Sequence, residues 1–472
     1  MPCIQEAALS SSAQASSSLL TASVPGLILR LALPGMLAMT ASSLAVLFDA
    51  LILSRVSTAL SAAASLSFPV LTCIQTIGFT LGMGAGSFVS RSIGSGDKPA
   101  AYRAASTALF AALLLSSILC AAGFFLSEPL VRLLGASEES AASASAYARY
   151  VLASGPMLCA SLVLSSLLRG QGQILSNLLA FSLGAAISIA LDLLLVGRLS
   201  LGVTGAGAAI LAREAVTLLV LLLFILRSRA IVKPKLKAVS FCPQAIRDIM
   251  QSGLPTLLRQ GLMSVSSALL TRAGAAFGEA ALSGMGLTVR ICALFSSAVI
   301  GFGQGFQPVC GAAFGAGNLP RVKSAYHFCL RCVVISAGIA GILVFRFARV
   351  LLALFAPQPE AAAFAISALR AQSAVFFAMG AVIVMNMLTQ AMGLTVRASV
   401  IATSRQGFVL IPLIILLPRL FGAAGLILCQ SASDLLSLLL CFLVLRGALR
   451  DSSCARGGCS DARTASQSGR HS

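Results

Sequence analysis

Apolar runs long enough to cross a membrane, separated by short clusters of charge, glycine or proline, recur along the whole chain. A spanning helix needs ~20 mostly apolar residues. The runs predict six spans in the first half, over residues 27–53, 60–90, 101–127, 145–168, 174–197 and 203–227. Six more follow over 249–272, 282–313, 324–348, 361–393, 398–418 and 422–446. The two sixes are copies of one unit. At a constant offset of 221 residues, Pro34 falls on Pro255, Gly84 on Gly305, Gly94 on Gly315 and Gly96 on Gly317. Asp97 falls on Asn318, Pro99 on Pro320 and Gly172 on Gly393. Near the ends of the units the offset becomes 220, so Gly202 meets Gly422 and Glu214 meets Asp434. The expected organisation is a loose lead over 1–25, a first lobe over 26–227, a basic linker over 228–248, a second lobe over 249–447 and a loose tail over 448–472. Repeats with an even number of spans enter the membrane from the same side, so they are related by an axis along its normal.

Composition fixes the class. Hydrophobic residues make up 58% and charged residues 10% of the chain, against ~25% charged in soluble domains. The fold class is an all-α integral membrane protein. The net charge of +19 sits mostly in the gaps between spans, as topology signals do, and argues against a nucleic-acid partner. The side carrying both termini holds 19 of the 33 basic residues, against 8 on the other side. The positive-inside rule puts that side, and both termini, in the cytoplasm of a cell-membrane protein. The linker run Lys233-Pro234-Lys235-Leu236-Lys237 is a topology signal, with anionic lipid as an alternative ligand.

Candidate chemistry is sparse. The thirteen cysteines are scattered through apolar runs, where Cys acts as a small hydrophobe. No nucleophile elbow, ATP-binding motif or metal-ligand spacing is present, so neither enzymatic activity nor a cofactor is expected. The glycine-rich stretch from Gly82 to Pro99 and its copy from Gly303 to Pro320 lack the Gly-Lys-Ser/Thr of a phosphate loop. They read as close-packing and helix-ending glycines.

Carboxylates inside spans are functional candidates because hydrocarbon penalises them by at least ~2.5 kcal/mol. Asp49 and Asp192 fall at similar depth in the outer half of the first lobe. They are expected to share one partly hydrated pocket, where a proton or metal cation trades places with a cationic substrate. The alternative is that each only bonds a neighbouring helix. Glu214 and Asp434 form a second polar pair by repeat symmetry. Both transport and a structural role, with each acid tied to an arginine or helix of its own lobe, remain open for them. Glu214 follows Arg213, but adjacent helical residues do not face each other. Asn386, Gln390, Gln260 and Gln307, with the adaptable Met263, are candidates for lining a substrate cavity between the lobes. Helix–helix hydrogen bonding is the competing role.

These residues together resemble the multidrug and toxic compound extrusion family. The likeness rests on Pro34 with Phe48-Asp49, on Gly84 to Asp97, and on Leu191-Asp192 with Gly205-Ala206. In the second half it rests on Gly253-Leu254-Pro255, on Gln304 to Pro308 with Gly315-Ala316-Gly317, and on Arg405-Gln406 with Pro412. The resemblance implies two six-helix lobes in a V, alternating access, and export of amphipathic, often cationic, small molecules against H+ or Na+. Its coupling acids map onto Asp49 and Asp192. Where the family often has Asn four residues before the second acid, this chain has Ser188, which favours protons over sodium. Related folds also flip lipid-linked saccharides, and Arg259, Arg272 and Arg290 keep that alternative open. The expected partners are a small-molecule substrate and membrane lipid, with the chain acting as a monomer.

Overall fold

The computed structural model describes residues 19–56, 58–133, 138–227, 231–235, 238–240, 242–353 and 359–468. The first half comprises α1 (Val24–Val56), α2 (Thr58–Ser95), α3 (Lys98–Phe125), the short α4 (Ser127–Leu133), α5 (Glu138–Gly170), α6 (Leu175–Leu191) and α7 (Gly202–Arg227). A π-helical stretch, Asp192–Arg198, continues α6. The second half holds α8 (Pro243–Ala275), α9 (Glu279–Gly315), α10 (Leu319–Ala353), α11 (Pro359–Ser373), α12 (Phe376–Ala391) and α13 (Thr395–Thr403). A π-helical turn, Ser404–Phe408, leads from α13 into α14 (Leu410–Ser468).

Among the described residues nine helices are long and apolar enough to cross a membrane, and α11 with α12, bent by 53°, makes a tenth. α8 falls below that hydropathy because it carries Arg247, Asp248, Arg259 and Arg272, yet its 33 residues reach across. The stretch Thr395–Gly447 is 53 residues long, ~80 Å of helix against a ~30 Å hydrocarbon core. It folds at Gly422, whose φ of 58° and ψ of −136° no helix contains, and so makes two crossings. With α8 and both arms of the fold at Gly422 counted, the described helices are long enough for the twelve crossings that the apolar runs predict. The short α4 was not foreseen.

Backbone geometry repeats with the sequence. Gly96 and Gly317 (φ 82° and 80°), Gly172 and Gly393 (81° and 72°), and Gly202 and Gly422 (55° and 58°) are paired left-handed turns. After the first pair, Asp97 accepts a hydrogen bond from the Ala100 amide and Asn318 one from the Arg321 amide, each at 3.0 Å. Both residues are therefore N-caps of the next helix.

The repeated glycine stretch does more than end helices. A Cβ on Gly94 would strike the Ala312 backbone, and one on Gly315 would strike the Arg91 backbone. Ala312 is itself the copy of Arg91, so the two contacts are symmetry mates. Likewise Gly84 lies against Ile249 and Gly253, while Gly305 lies against Leu31 and Ala32. The glycines let α2 cross α8 and α9, and let α9 cross α1, at backbone contact. They form the seam between the lobes on the basic side. Contacts do not divide at the linker either: Ile28 and Ala32 of α1 are buried with Phe302, Phe306 and Val309 in the second half's core.

A Gly94→Val substitution should wedge this seam, where backbone rather than a flexible side chain blocks the new methyls. The expected loss is ~1–3 kcal/mol, read as a lowered melting temperature of the detergent-purified protein. Gly286→Val, at a position with nothing within reach, should leave it nearly unchanged.

The end of the lead, expected to be loose, is tied down, and so is part of the linker. Leu19 is buried, and Arg321 donates to the Leu19 and Ala22 carbonyls at 3.0 and 2.6 Å. In the linker, Val232 exchanges two hydrogen bonds with Gln171 and Tyr102 donates to the Ile231 carbonyl at 2.8 Å. Part of the basic run, Leu236 and Lys237, lies outside the described residues, as do 1–18 of the lead, 469–472 of the tail and the side chains of 448–468.

Candidate functional site

The first-lobe pocket is built from three helix segments and one ring. Asp49 comes from the last turns of α1, Ser188 and Asp192 from the end of α6, and Arg213 with Glu214 from the middle of α7. Asp192 stands where α6 passes into its π-helical stretch, a widening of the helix that recurs at functional sites. It is 4% exposed, and it neighbours Asp49. The structure brings the two acids together. Ser188 is fully buried. Its hydroxyl and Asp49 Oδ1 have no hydrogen-bond partner among the described residues, so the pocket has acceptor capacity to spare.

Arg213 sets the electrostatics. Its Nη1 donates to Asp49 Oδ2 at 3.3 Å, and its Nε donates to Glu214 Oε1 at 3.0 Å. The expectation that neighbours Arg213 and Glu214 stay apart is corrected here. The rule of non-facing neighbours concerns Cβ directions, and a long arginine stem folds back past it. Three carboxylates and one guanidinium thus share the pocket.

Tyr147 of α5 is a buried neighbour of this group that the sequence reading did not single out. It is 7% exposed and lies within electrostatic range of Arg213, Asp192 and Asp49. All four tyrosines fall inside predicted spans, so nothing in the sequence singled this one out. Arg213 was visible, as a base in the middle of an apolar run.

The second lobe is built differently. Asp434 of α14 is fully buried. Its Oδ1 accepts from Arg405 Nε and its Oδ2 from Gln372 Nε2, both at 2.5 Å. Glu214 and Asp434 are therefore not brought together; each is tied to an arginine of its own lobe. The arginine arrives from the neighbouring position on α7 in one lobe and from the π-helical turn before α14 in the other.

The polar residues proposed for a cavity fall near the seam and within the second lobe. Gln307 donates to Ser87 across the lobes at 3.3 Å and lines a small cavity there with Ser90, Ser166 and Arg169. Gln390 donates to Thr256 at 3.3 Å and Asn386 to the Ala398 carbonyl at 3.4 Å. Gln260 is buried and Met263 half-buried on α8. Arg91, expected only as a topology charge, clamps the seam. Its Nη1 donates to the Gln390 and Ala391 carbonyls at 3.2 Å, and its Nη2 to Ser252 at 2.7 Å. The Gln390 carbonyl also accepts from the Gly393 amide at 3.0 Å, so the arginine adds a second donor at the end of α12.

A family profile described as MatE matches residues 34–194 and again 255–416, two copies in the register of the 221-residue offset. The multidrug export protein MepA of Staphylococcus saprophyticus is 23% identical over 77% of this chain and 80% of its own length. MepA of Staphylococcus aureus is 22% identical over 81% and 85%. Among solved structures, the outward-facing conformation of a multidrug resistance MATE family transporter of the MOP superfamily superposes with a TM-score of 0.87. It is 25% identical, over 92% of this chain and 98% of that one. A MATE structure in complex with MaL6 gives 0.88 over the same shares, at 25% identity.

Proposed function

Because the chain belongs to the MatE family, a family of membrane transporters rather than enzymes, we propose that it is a multidrug efflux antiporter coupled to protons through Asp49 and Asp192. The observation that carries this reading is the pair of a buried Asp192 and a half-buried Asp49, with an orphaned acceptor on Asp49 and another on Ser188. A proton bound there is expelled when an organic cation lends its positive charge to the same carboxylates, so proton and substrate exclude each other. Alternating access then moves them in opposite directions. Two features favour H+ over Na+. Arg213 already occupies Asp49 Oδ2, and Ser188 offers a shorter ligand than an asparagine would. Substrates bind from the cytoplasm, the side of both termini in the positive-inside orientation. The seam of glycines and Arg91 closes that side, and its separation opens it.

The test is uphill efflux of a cationic dye from energised vesicles. Collapse of the proton gradient with a protonophore should stop efflux, whereas dissipation of a sodium gradient should not. Efflux that survives the protonophore and stops with sodium would overturn proton coupling.

A further inference from the structure

Arg213 is held from two sides, and unequally. Its Nε donates to Glu214 Oε1 at 3.0 Å and its Nη1 to Asp49 Oδ2 at 3.3 Å. The Glu214 side chain is 6% exposed against 17% for Asp49, so the shorter contact is also the drier one. The two nitrogens belong to different edges of the guanidinium. Nε forms a fork with Nη2, and Nη1 stands outside that fork. Among the described residues neither Arg213 Nη2 nor Glu214 Oε2 has a hydrogen-bond partner. Glu214 can therefore take the whole Nε–Nη2 edge once Nη1 leaves Asp49, in the bidentate geometry that carboxylate and guanidinium favour.

Packing places the arginine stem. Gly184 of α6 faces α7 here: a Cβ on it would strike Thr217 Oγ1 and come within 3.5 Å of Arg213 Cγ. Ser188 and Asp192 follow Gly184 at four-residue steps along α6, which puts all three on one face. The helix that carries half of the acid pair thus also backs the arginine. The second lobe has no such slack, since both oxygens of Asp434 are engaged, by Arg405 and Gln372.

Asp49 is poorly suited to two cations at once. Positive groups sharing one carboxylate repel across a weakly screened interior, and a guanidinium left unpaired at membrane depth is costly. Withdrawal of Nη1 avoids that cost, because Glu214 keeps its hold on Nε. We propose that Arg213 is a tethered counter-cation: it occupies Asp49 in the empty transporter and withdraws onto Glu214 when an organic cation binds. This rests on the reading that substrate binds at Asp49, and it makes Arg213 a specificity residue. Neutral and anionic compounds carry no charge that releases the arginine, so they leave it on Asp49.

Equilibrium binding of radiolabelled tetraphenylphosphonium, a permanent cation without titratable groups, tests the tether on the purified full-length protein in phosphatidylcholine nanodiscs. Arg213→Gln should tighten binding about tenfold, since a charge-assisted contact no longer competes for Asp49. Glu214→Gln should weaken it about tenfold, because the arginine then has Asp49 alone. The double variant is decisive. If Glu214 acts only through Arg213, Arg213→Gln with Glu214→Gln binds within about threefold of Arg213→Gln. It removes the pair together, so it serves equally if Arg213→Gln alone strands Glu214 and misfolds. Weaker binding in Arg213→Gln overturns the proposal. So does a double variant back at wild-type affinity, as two independent charges would give. Asp49→Asn separates the tether from the reading beneath it. Undiminished binding in that variant overturns both, whereas diminished binding without the Arg213 and Glu214 effects overturns the tether alone.

Discussion

Asp49→Asn should abolish uphill efflux while leaving the protein folded and able to exchange dye downhill. The amide matches the carboxylate in shape and still accepts from Arg213, and Glu214 continues to hold the same guanidinium at 3.0 Å. What is lost is the exchangeable proton and the charge that attracts a cation. A charge-assisted contact is worth ~1.5–3 kcal/mol, and 2.7 kcal/mol corresponds to about a hundredfold. The expected accumulation ratio in vesicles falls to that of protonophore-treated wild type. Asp192→Asn should act in the same direction, because it removes the other half of the pair. Full uphill efflux in either variant would contradict the assignment.

The largest stability effect is expected in the other lobe. Arg405→Ala strands the Asp434 carboxylate, whose side chain is 0% exposed, with Gln372 and no cation. Breaking a buried pair by removing one partner costs ~3–5 kcal/mol, enough to empty the folded state of many proteins. Thermal melting of the purified protein measures the loss, with expression level as a second readout. Arg405→Ala combined with Asp434→Ala should be less destabilised than Arg405→Ala alone, since the stranded charge is then gone. By contrast, breaking the exposed Arg132–Glu128 pair, 52% and 57% accessible, should cost at most ~0.5 kcal/mol. A stable Arg405→Ala protein would contradict this account of the pair.

The scaffold was legible in the sequence because membrane spans and repeats are local or periodic signals. The apolar runs predict the helices closely, and paired glycines at a fixed offset become paired left-handed turns such as Gly96 and Gly317. The acidic pair was legible for the same reason: a carboxylate in an apolar run has few explanations. What the chain could not display was partner choice across hundreds of residues. Gly94 reads as the end of a helix, yet it is also where the first lobe touches Ala312 of the second. Arg91 reads as a loop charge, yet it ties α2 to Ser252 and to the last carbonyls of α12. Arg213 was misjudged because its helical spacing was weighed and the reach of its side chain was not.

The central claim is that substrate and proton compete for the first-lobe carboxyls, and proton release on binding tests it most directly. Rhodamine 123 would be added to weakly buffered, sodium-free purified protein with a pH-sensitive dye present. The account predicts that the wild type releases protons in proportion to bound rhodamine, that binding strengthens as the pH rises, and that Asp49→Asn with Asp192→Asn releases none. Rhodamine binding by the wild type with no proton release, or release undiminished in the double variant, would contradict it.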